Sequence, residues 1–313
     1  DLRQEYTLMG DDINMAARLM SYAKWGSIYI SNKTAEQARA YFNLSDRFDL
    51  RVKGKQILIP TYEVLGKREE IGATRGLAGA ATPLIGRDAA FEELQDCARD
   101  LVQNRRGQIV AILGDSGLGK SRLKRDLKTW LFEQENTEHL VWVEGQSMSF
   151  SEQMSYWLAA QVLRGALRLS PDASEEDILY ALWERGETFL NNEAMDAIPF
   201  LAHMMGLELG EEWAWVKEMA PKIRQKQTFW AAAQFFTGLG RQQPLVIALD
   251  DLHWADEASL ALLENLLEVT EHAAIMFIFS FRVMRDKGCW RLRDVAAGNY
   301  PHRYTEMTLA PLS

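Results

Sequence analysis

Hydrophobic and polar positions follow two different patterns along the chain, and the pattern changes near residue 83. In residues 1–66, short apolar strand signals alternate with short helical signals. The segment 67–82 has no apolar periodicity and places glycines among small residues, which predicts a linker. From residue 83 onward, continuous apolar runs alternate with longer helical patterns. The pattern therefore predicts two domains, residues 1–66 and residues 83–313.

The first domain opens with a strand signal at residues 6–9, which a helical pattern follows. Apolar residues spaced at i, i+3, i+4 and i+7 predict an amphipathic helix over residues 11–22. The stripe consists of Ile13, Ala16, Ala17 and Met20. The remaining predicted elements are a strand at 27–30, a helix at 34–41 and two strands within 47–64 joined around residues 53–56.

The second domain contains several short, continuous apolar runs of the kind that form buried strands in parallel sheets. These runs are residues 108–113, 140–143, 245–249, 275–279 and, more weakly, 304–309. Helical patterns separate them, including a helix at 89–101 and a long helical insertion over about 151–240. Strands that alternate with helices predict an α/β domain, in which helices cover both faces of a parallel sheet.

Composition narrows the class of protein. The chain has 313 residues, 47% hydrophobic and 25% charged, which is typical of an ordinary soluble globular protein. Its 44 acidic residues outnumber 35 Lys and Arg, and the net charge of −9 argues against binding to duplex nucleic acid. The longest apolar run, residues 273–279, is too short to cross a bilayer. We therefore expect no direct nucleic-acid partner and no membrane span within residues 1–313.

The cysteine content indicates the cellular compartment of the protein, and the first residue indicates whether the chain is part of a longer polypeptide. Two cysteines, Cys97 and Cys289, do not make a disulfide framework, and a reducing compartment is the simpler interpretation. We therefore expect a cytoplasmic protein. The sequence begins with Asp1 and shows no signal-peptide pattern, so we also expect it to be a piece of a longer polypeptide.

The strongest chemical motif follows the apolar run at 108–113 and fits the pattern G-x-x-x-x-G-K-[ST]. Its candidate binding residues are Gly114, Gly117, Gly119, Lys120 and Ser121. A strand before the loop and a helix after it direct backbone amides toward a polyphosphate, which glycines let approach closely. We expect Lys120 to contact the β- and γ-phosphates and Ser121 to bind Mg²⁺. The alternative, a glycine-rich turn with an incidental lysine, fits the flanking elements poorly.

Two carboxylates follow the apolar run at 245–249 and are the candidate partners of this loop. We expect Asp250 to hold a hydrated Mg²⁺ and Asp251 to orient or deprotonate a water molecule. The alternative is that both carboxylates only cap the end of the strand.

Three polar residues nearby allow more than one interpretation. His253 is interpreted as a hydrogen-bonded structural residue in preference to a catalyst. Asp256 is predicted to be the N-cap of a helix that begins at residue 257. Arg282 follows the run at 275–279, where it could sense a γ-phosphate, and an ordinary surface arginine is an equal alternative.

Residues 83–88 (PLIGRD), the phosphate loop and residues 249–256 (LDDLHWAD) together resemble the STAND class of P-loop ATPases, which act as switches in signalling proteins. The resemblance covers residues 83–313. It implies ATP as the ligand and places Gly86 and Arg87 near the adenine. The family continues into a helical lid after the part that corresponds to residue 313. Since Lys120 and Asp250 are far apart in sequence, the helical stretch between them is an insertion.

The predicted helix at 11–22 carries a second chemical signal, because Asn14 and Arg18 stand at i and i+4 and share one face. An amide and a guanidinium held on one helix can donate hydrogen bonds to charge that develops on a phosphoryl group. Taken alone, the pair is more typical of a solvated helix face.

Residues 5–20 (EYTLMGDDINMAARLM), 26–31 (GSIYIS) and 52–55 (VKGK) resemble the later part of a class III nucleotidyl cyclase domain, an α+β fold of ferredoxin-like type. The resemblance covers residues 1–66. Joined to a STAND ATPase, it is similar to the soluble adenylyl cyclase architecture. That family converts ATP to cyclic AMP and pyrophosphate with two metal ions.

The second resemblance assigns roles to four residues. Asn14 and Arg18 correspond to the transition-state donors of the family, and Thr7 to the position that reads the base. A threonine hydroxyl donates or accepts a hydrogen bond, so it is compatible with adenine. Lys55 corresponds to the lysine that holds the triphosphate, and its alternative is a solvated lysine on a hairpin turn.

The resemblance also implies what lies elsewhere in the family. Its two metal-binding aspartates, and the lysine that partners the threonine, come before the position of residue 1. We therefore expect residues 1–313 alone to lack cyclase activity, and we expect homodimers through the cyclase domain. The leading hypothesis is an adenylate cyclase regulated by its ATPase domain. One alternative is an ATP-dependent switch or scaffold that gates assembly or transcription and carries a degenerate cyclase portion. The other is a DNA-directed motor, which the acidic charge disfavours.

Overall fold

The computed structural model of the chain describes residues 11–23, 27–39, 42–50, 58–67, 86–135, 137–148, 151–170, 172–190 and 193–311. It divides into two compact units, Asp1–Pro83 and Leu84–Ser313. The strand predicted at 6–9, the turn predicted at 53–56 and the linker predicted at 67–82, apart from Lys67, lie outside the described residues. None of the described helices is long and apolar enough to cross a membrane.

The first unit is an α+β arrangement built around one long strand. Its elements are α1 (Asp11–Tyr22), β1 (Tyr29–Ser31), α2 (Asn32–Ala38), β2 (Phe42–Leu44), β3 (Phe48–Leu50) and β4 (Ile59–Lys67). Strand β4 pairs antiparallel with β1, β2 and β3. The helix predicted at 11–22 has the bounds of α1, whereas β2 was not predicted.

The apolar stripe predicted for α1 is wrong at both positions whose burial the structure describes, because Ala16 and Met20 are exposed. Met20 is 75% exposed, whereas Leu19, which was not assigned to the stripe, is 3% exposed. Met15 and Leu19 form a second apolar i, i+4 pair on the same helix, and periodicity alone did not decide between the two faces. Tertiary packing selects the face that carries Leu19.

The second unit contains a five-stranded parallel sheet. Its strands are β5 (Gln108–Leu113), β6 (Val141–Gln146), β7 (Leu245–Asp250), β8 (Ile275–Phe281) and β9 (Tyr304–Thr308). Their order is β6-β7-β8-β5-β9, and each neighbouring pair is parallel. All five strands arise from the apolar runs in the sequence.

One helix, α3, precedes the first strand of this sheet, and the other helices lie between its strands. The helices are α3 (Asp88–Asn104), α4 (Lys120–Phe132), α5 (Trp157–Ala166), α6 (Glu175–Leu190), α7 (Ala194–Met204), α8 (Ala214–Glu218), α9 (Pro221–Gln242), α10 (Glu257–Leu266) and α11 (Gly288–Asn299). Short 3₁₀ helices occupy Ser151–Gln153, Glu211–Trp213, Leu252–Trp254 and Leu267–Glu271.

The three central strands, β7, β8 and β5, are buried on both faces of the sheet, and alternate residues of these strands pack in different cores. Val110 and Ile112 of β5 pack in a cluster with leucines of α3 and α4. Ile109, Ala111 and Leu113 pack in the other cluster, with residues from α5 to α11. This arrangement confirms the predicted α/β fold with helices on both faces of a parallel sheet. The helical stretch predicted over about 151–240 contains α5 to α9, which extend the second core.

Helix α9 passes so close to the end of α6 that one position requires glycine. A Cβ atom on Gly238 would lie 2.0 Å from the carbonyl oxygen of Phe189. A Cβ atom on Gly298, in α11, would have no atom within 4 Å.

We expect Gly238→Ala to lower the free energy of unfolding by about 1–3 kcal/mol, because the backbones must separate. The matched control, Gly298→Ala, should be neutral or raise stability by about 0.5–1 kcal/mol through helix propensity. Denaturant unfolding followed by tryptophan fluorescence measures both. Equal effects of the two substitutions would contradict the close approach of α9 to α6.

Candidate functional site

The loop between β5 and α4 has the backbone conformation that its glycines predict. Gly117 and Gly119 have φ angles of 84° and 95°, in the left-handed region that favours glycine. Gly114 sits so close to Leu309 that an added Cβ would lie 2.9 Å from the carbonyl oxygen of Leu309. Helix α4 begins at Lys120, so its first free N–H groups lie at the end of this loop.

Lys120 is buried at the start of α4 and faces its own loop. Its Nζ donates hydrogen bonds to the carbonyl oxygens of Gly114, at 2.6 Å, and Asp115, at 2.8 Å. Burial lowers the pKa of Lys120, and the charge of Arg282 acts in the same direction, whereas Asp251 and Asp250 oppose the shift. Lys120 therefore interacts electrostatically with Asp250, Asp251 and Arg282. In the sequence, these residues lie at or after the ends of three different strands, β5, β7 and β8.

The two aspartates occupy the end of β7. Asp250 is its last residue and pairs in register with Gln146 of β6. Asp251 has a φ angle of 54°, and this left-handed residue turns the chain into the 3₁₀ helix Leu252–Trp254. Positive φ is uncommon for a residue other than glycine, and an aspartate tolerates it better than most.

Lys124, one turn after Lys120 on α4, forms an ion pair with Oδ1 of Asp250. This contact was not predicted. Its side chain is 6% exposed, and it lies beside Leu123 and Leu127 on the buried face of the helix. A lysine on an otherwise apolar helix face is the sequence signal that could have revealed a buried partner.

Two side-chain oxygen groups of this site are suited to bind a magnesium ion. Ser121 is exposed in the first turn of α4, and its hydroxyl and the Asp250 carboxylate are hard oxygen donors of the kind that Mg²⁺ prefers. Among the residues that the structure describes, no group of three or more His, Cys, Asp or Glu could hold a metal. A Mg²⁺ ion here would therefore need phosphate oxygens or water as further ligands.

Arg87 links the segment before α3 to the loop. Its guanidinium donates to the carbonyl oxygens of Leu118, in the loop, and Ala310, just after β9. Gly86 precedes it in a left-handed conformation, with φ of 67°. These two residues thus adjoin the phosphate loop, and their contact with adenine stays a prediction.

His253 departs from its interpretation as a hydrogen-bonded residue. The side chain is buried, and within the described part of the chain neither ring nitrogen has a hydrogen-bond partner. Burial lowers the pKa of His253, and the cations Arg282, Lys120 and Lys287 reinforce the shift, while Asp251 opposes it. The neutral imidazole is therefore favoured. The LDDLHWAD motif begins at the end of β7, and no local pattern in it indicates that the His253 nitrogens have no partner among the described residues.

Asp256 caps α10, as predicted, and also caps a second helix. Its carboxylate accepts hydrogen bonds from the backbone N–H of Ser259 at 2.8 Å and, at the start of α5, from those of Tyr156, the N-cap residue, at 2.8 Å and Leu158 at 3.4 Å. The hydroxyl of Ser259 accepts another from Ala159 at 3.0 Å. These contacts tie the start of the helical insertion to the segment that follows Asp250.

In the first unit, the structure describes only some of the predicted site residues. Asn14 and Arg18 both lie on α1, and Arg18 is half-buried. Thr7, Lys55 and the side chain of Asn14 lie outside the described residues.

Two family models match the chain. The model described as an AAA ATPase domain matches residues 83–278. The model described as an adenylate and guanylate cyclase catalytic domain matches residues 1–66. Both resemblances inferred from the sequence are thereby confirmed.

Two curated relatives match most of the chain at low identity. The chain is 23% identical over 278 residues to an uncharacterized protein of Rhizobium meliloti (strain 1021), covering 87% of this chain and 26% of that protein. It is 22% identical over 288 residues to adenylate cyclase type 10 of Rattus norvegicus, covering 90% of this chain and 17% of the relative. The chain thus spans about a quarter or less of the length of these relatives.

Solved structures resemble the chain more distantly. Cdc6p from Pyrobaculum aerophilum aligns at a TM-score of 0.41 with 12% identity, over 76% of this chain and 48% of that one. Drosophila ORC bound to DNA aligns at 0.37 with 15% identity, over 73% and 43%. The fold assignment rests on the strand order and the family match.

We expect Asp256→Ala to lower the free energy of unfolding by about 2 kcal/mol or more, because it strips the caps from two helices and leaves buried N–H groups unpaired. Thermal unfolding measures the loss. The control, Asp177→Ala, removes an exposed carboxylate that accepts from Ser174 at the start of one helix, α6, and should cost less. A smaller loss for Asp256→Ala than for the control would contradict the two-helix role.

Proposed function

This chain belongs to the AAA ATPase domain family, and on that premise we propose that its second unit binds ATP together with Mg²⁺. The observation that carries this proposal is the buried Lys120 ammonium, held by the carbonyls of the glycine loop and close to the charges of Asp250 and Asp251. A cation and free helix N–H groups at the carboxyl edge of a parallel sheet are suited to a polyphosphate.

Each residue of this site has a proposed role. Lys120 and the loop amides hold the phosphates, while Ser121 and Asp250 hold Mg²⁺, which would neutralise phosphate charge when bound. Asp251 orients a water molecule, and Arg282 contacts the terminal phosphate. Gly86 and Arg87 lie against the adenine. Support comes from the location of Arg282 directly after β8, the strand that pairs with both β5 and β7.

For the longer protein we propose a signalling adenylate cyclase whose activity the ATPase unit regulates. Its reaction joins the ribose 3′-oxygen to the α-phosphorus of ATP and breaks the bond to the β-phosphate, so that cyclic AMP and pyrophosphate form. The cyclase family match and the relationship to adenylate cyclase type 10 support this assignment.

Within the cyclase part, Asn14 and Arg18 donate hydrogen bonds to the transition state, Lys55 holds the triphosphate and Thr7 reads adenine. The i, i+4 spacing of Asn14 and Arg18 along α1 supports this pairing. We propose that the protein works as a homodimer through this domain and resides in the cytoplasm.

Lys120→Ala should abolish measurable ATP binding by the chain, because it removes the ammonium that faces the phosphates. Isothermal titration calorimetry with ATP and Mg²⁺ provides the measurement. Lys128→Ala is the matched control: Lys128 lies two turns further along α4, where it pairs with Glu144, and its loss should leave ATP affinity unchanged. Unchanged affinity in Lys120→Ala would refute the phosphate site.

In the full-length protein, Asn14→Ala or Arg18→Ala should lower the rate of cyclic AMP formation by about 100-fold or more. Each change removes a donor needed in the transition state, so thermal stability should stay the same. Arg47→Ala, which breaks an exposed ion pair with Asp49, serves as a control with normal activity. Loss of stability in parallel with activity would assign a structural role instead, and an inactive wild-type protein would favour the ATP-dependent switch.

A further inference from the structure

Three lysines form a row along α4, at i, i+4 and i+8, and each has a different partner. Lys120 donates to loop carbonyls, Lys124 pairs with Asp250, and Lys128 pairs with Glu144 of β6 at 2.9 Å. The contacts of Lys120 and Lys128 do not involve the Asp250 carboxylate. The contact of Lys124 occupies this carboxylate.

The pair between Lys124 and Asp250 is much more buried than the pair one turn further along. The Lys124 side chain is 6% exposed, compared with 40% for Lys128. Burying an ammonium group costs free energy unless a carboxylate or carbonyl oxygens face it. Among the described contacts of Lys124, the ion pair with Asp250 supplies the carboxylate that compensates for burial. This ion pair keeps the Lys124 ammonium at Asp250.

The same carboxylate is the group that the proposed function assigns to Mg²⁺. Two cations that approach one carboxylate repel each other, and the repulsion is strong where little water screens it. We propose that Lys124 is a resident counter-cation of Asp250 that competes with Mg²⁺ and thereby raises the Mg²⁺ concentration needed for nucleotide binding. This inference rests on the proposed ATP and Mg²⁺ site.

A second carboxylate lies within reach of the Lys124 charge. Burial opposes ionisation of Glu144, yet the hydrogen bond and charge of Lys128, the indole of Trp142 and the charge of Lys124 together lower its pKa. Glu144 lies on β6, which pairs with β7. When a metal ion engages Asp250, the ammonium of Lys124 therefore has a neighbouring negative charge that stabilises it.

The test compares neutral and charged replacements of Lys124. Lys124→Gln keeps a hydrogen-bond donor for Asp250 without the charge, Lys124→Met removes both, and Lys124→Arg keeps the charge. Binding of a fluorescent N-methylanthraniloyl derivative of ATP is measured by anisotropy while Mg²⁺ is titrated, starting from EDTA. Lys128→Gln is the matched control on the same helix face.

We expect the half-saturating Mg²⁺ concentration to fall by about 10-fold in Lys124→Gln and Lys124→Met, because a like charge has been removed from the metal site. In Lys124→Arg and Lys128→Gln it should stay within about 2-fold of the wild-type value. A wild-type chain that binds no nucleotide would refute the ATP site itself.

Wild-type binding with an unchanged or increased Mg²⁺ requirement in Lys124→Gln would instead refute the competition alone. Circular dichroism reports whether the variants fold. If both neutral variants failed to fold while Lys124→Arg folded, Lys124 would be a structural requirement, and the inference would also be overturned.

Discussion

The balance of buried charge at the carboxyl edge of the parallel sheet is the constraint on which the second unit depends. Strand β8 lies between β5 and β7, so the loop after β5 and the carboxylate at the end of β7 are separated by two strand spacings, about 10 Å. Helix α4 spans this gap with two buried lysines, one facing the loop and one facing Asp250. The strand order therefore sets which side chains can neutralise one another.

Much of this arrangement could be predicted from the sequence, because the relevant signals are local. Continuous apolar runs located all five parallel strands, and the loop glycines, Lys120 and Asp250 follow directly from their ends. The fold class and both family resemblances are confirmed, whereas the roles of the site residues stay predictions.

The features that the sequence did not reveal depend on contacts between distant segments. The buried side of α1 was predicted wrongly at Ala16 and Met20, because two apolar faces compete on that helix and packing selects one of them. Lys124 reaches an aspartate 126 positions later, and no local pattern encodes that pairing. The unpartnered nitrogens of His253 likewise depend on what surrounds the ring.

The double cap made by Asp256 has a consequence for engineering the domain. A shorter relative in which β6 connects directly to β7 would lack the α5 amides and would leave this buried carboxylate with fewer hydrogen-bond donors. The helical segment is thus not a detachable module. A shortened variant would need a replacement at Asp256, because the carboxylate would lose the donors at the start of α5.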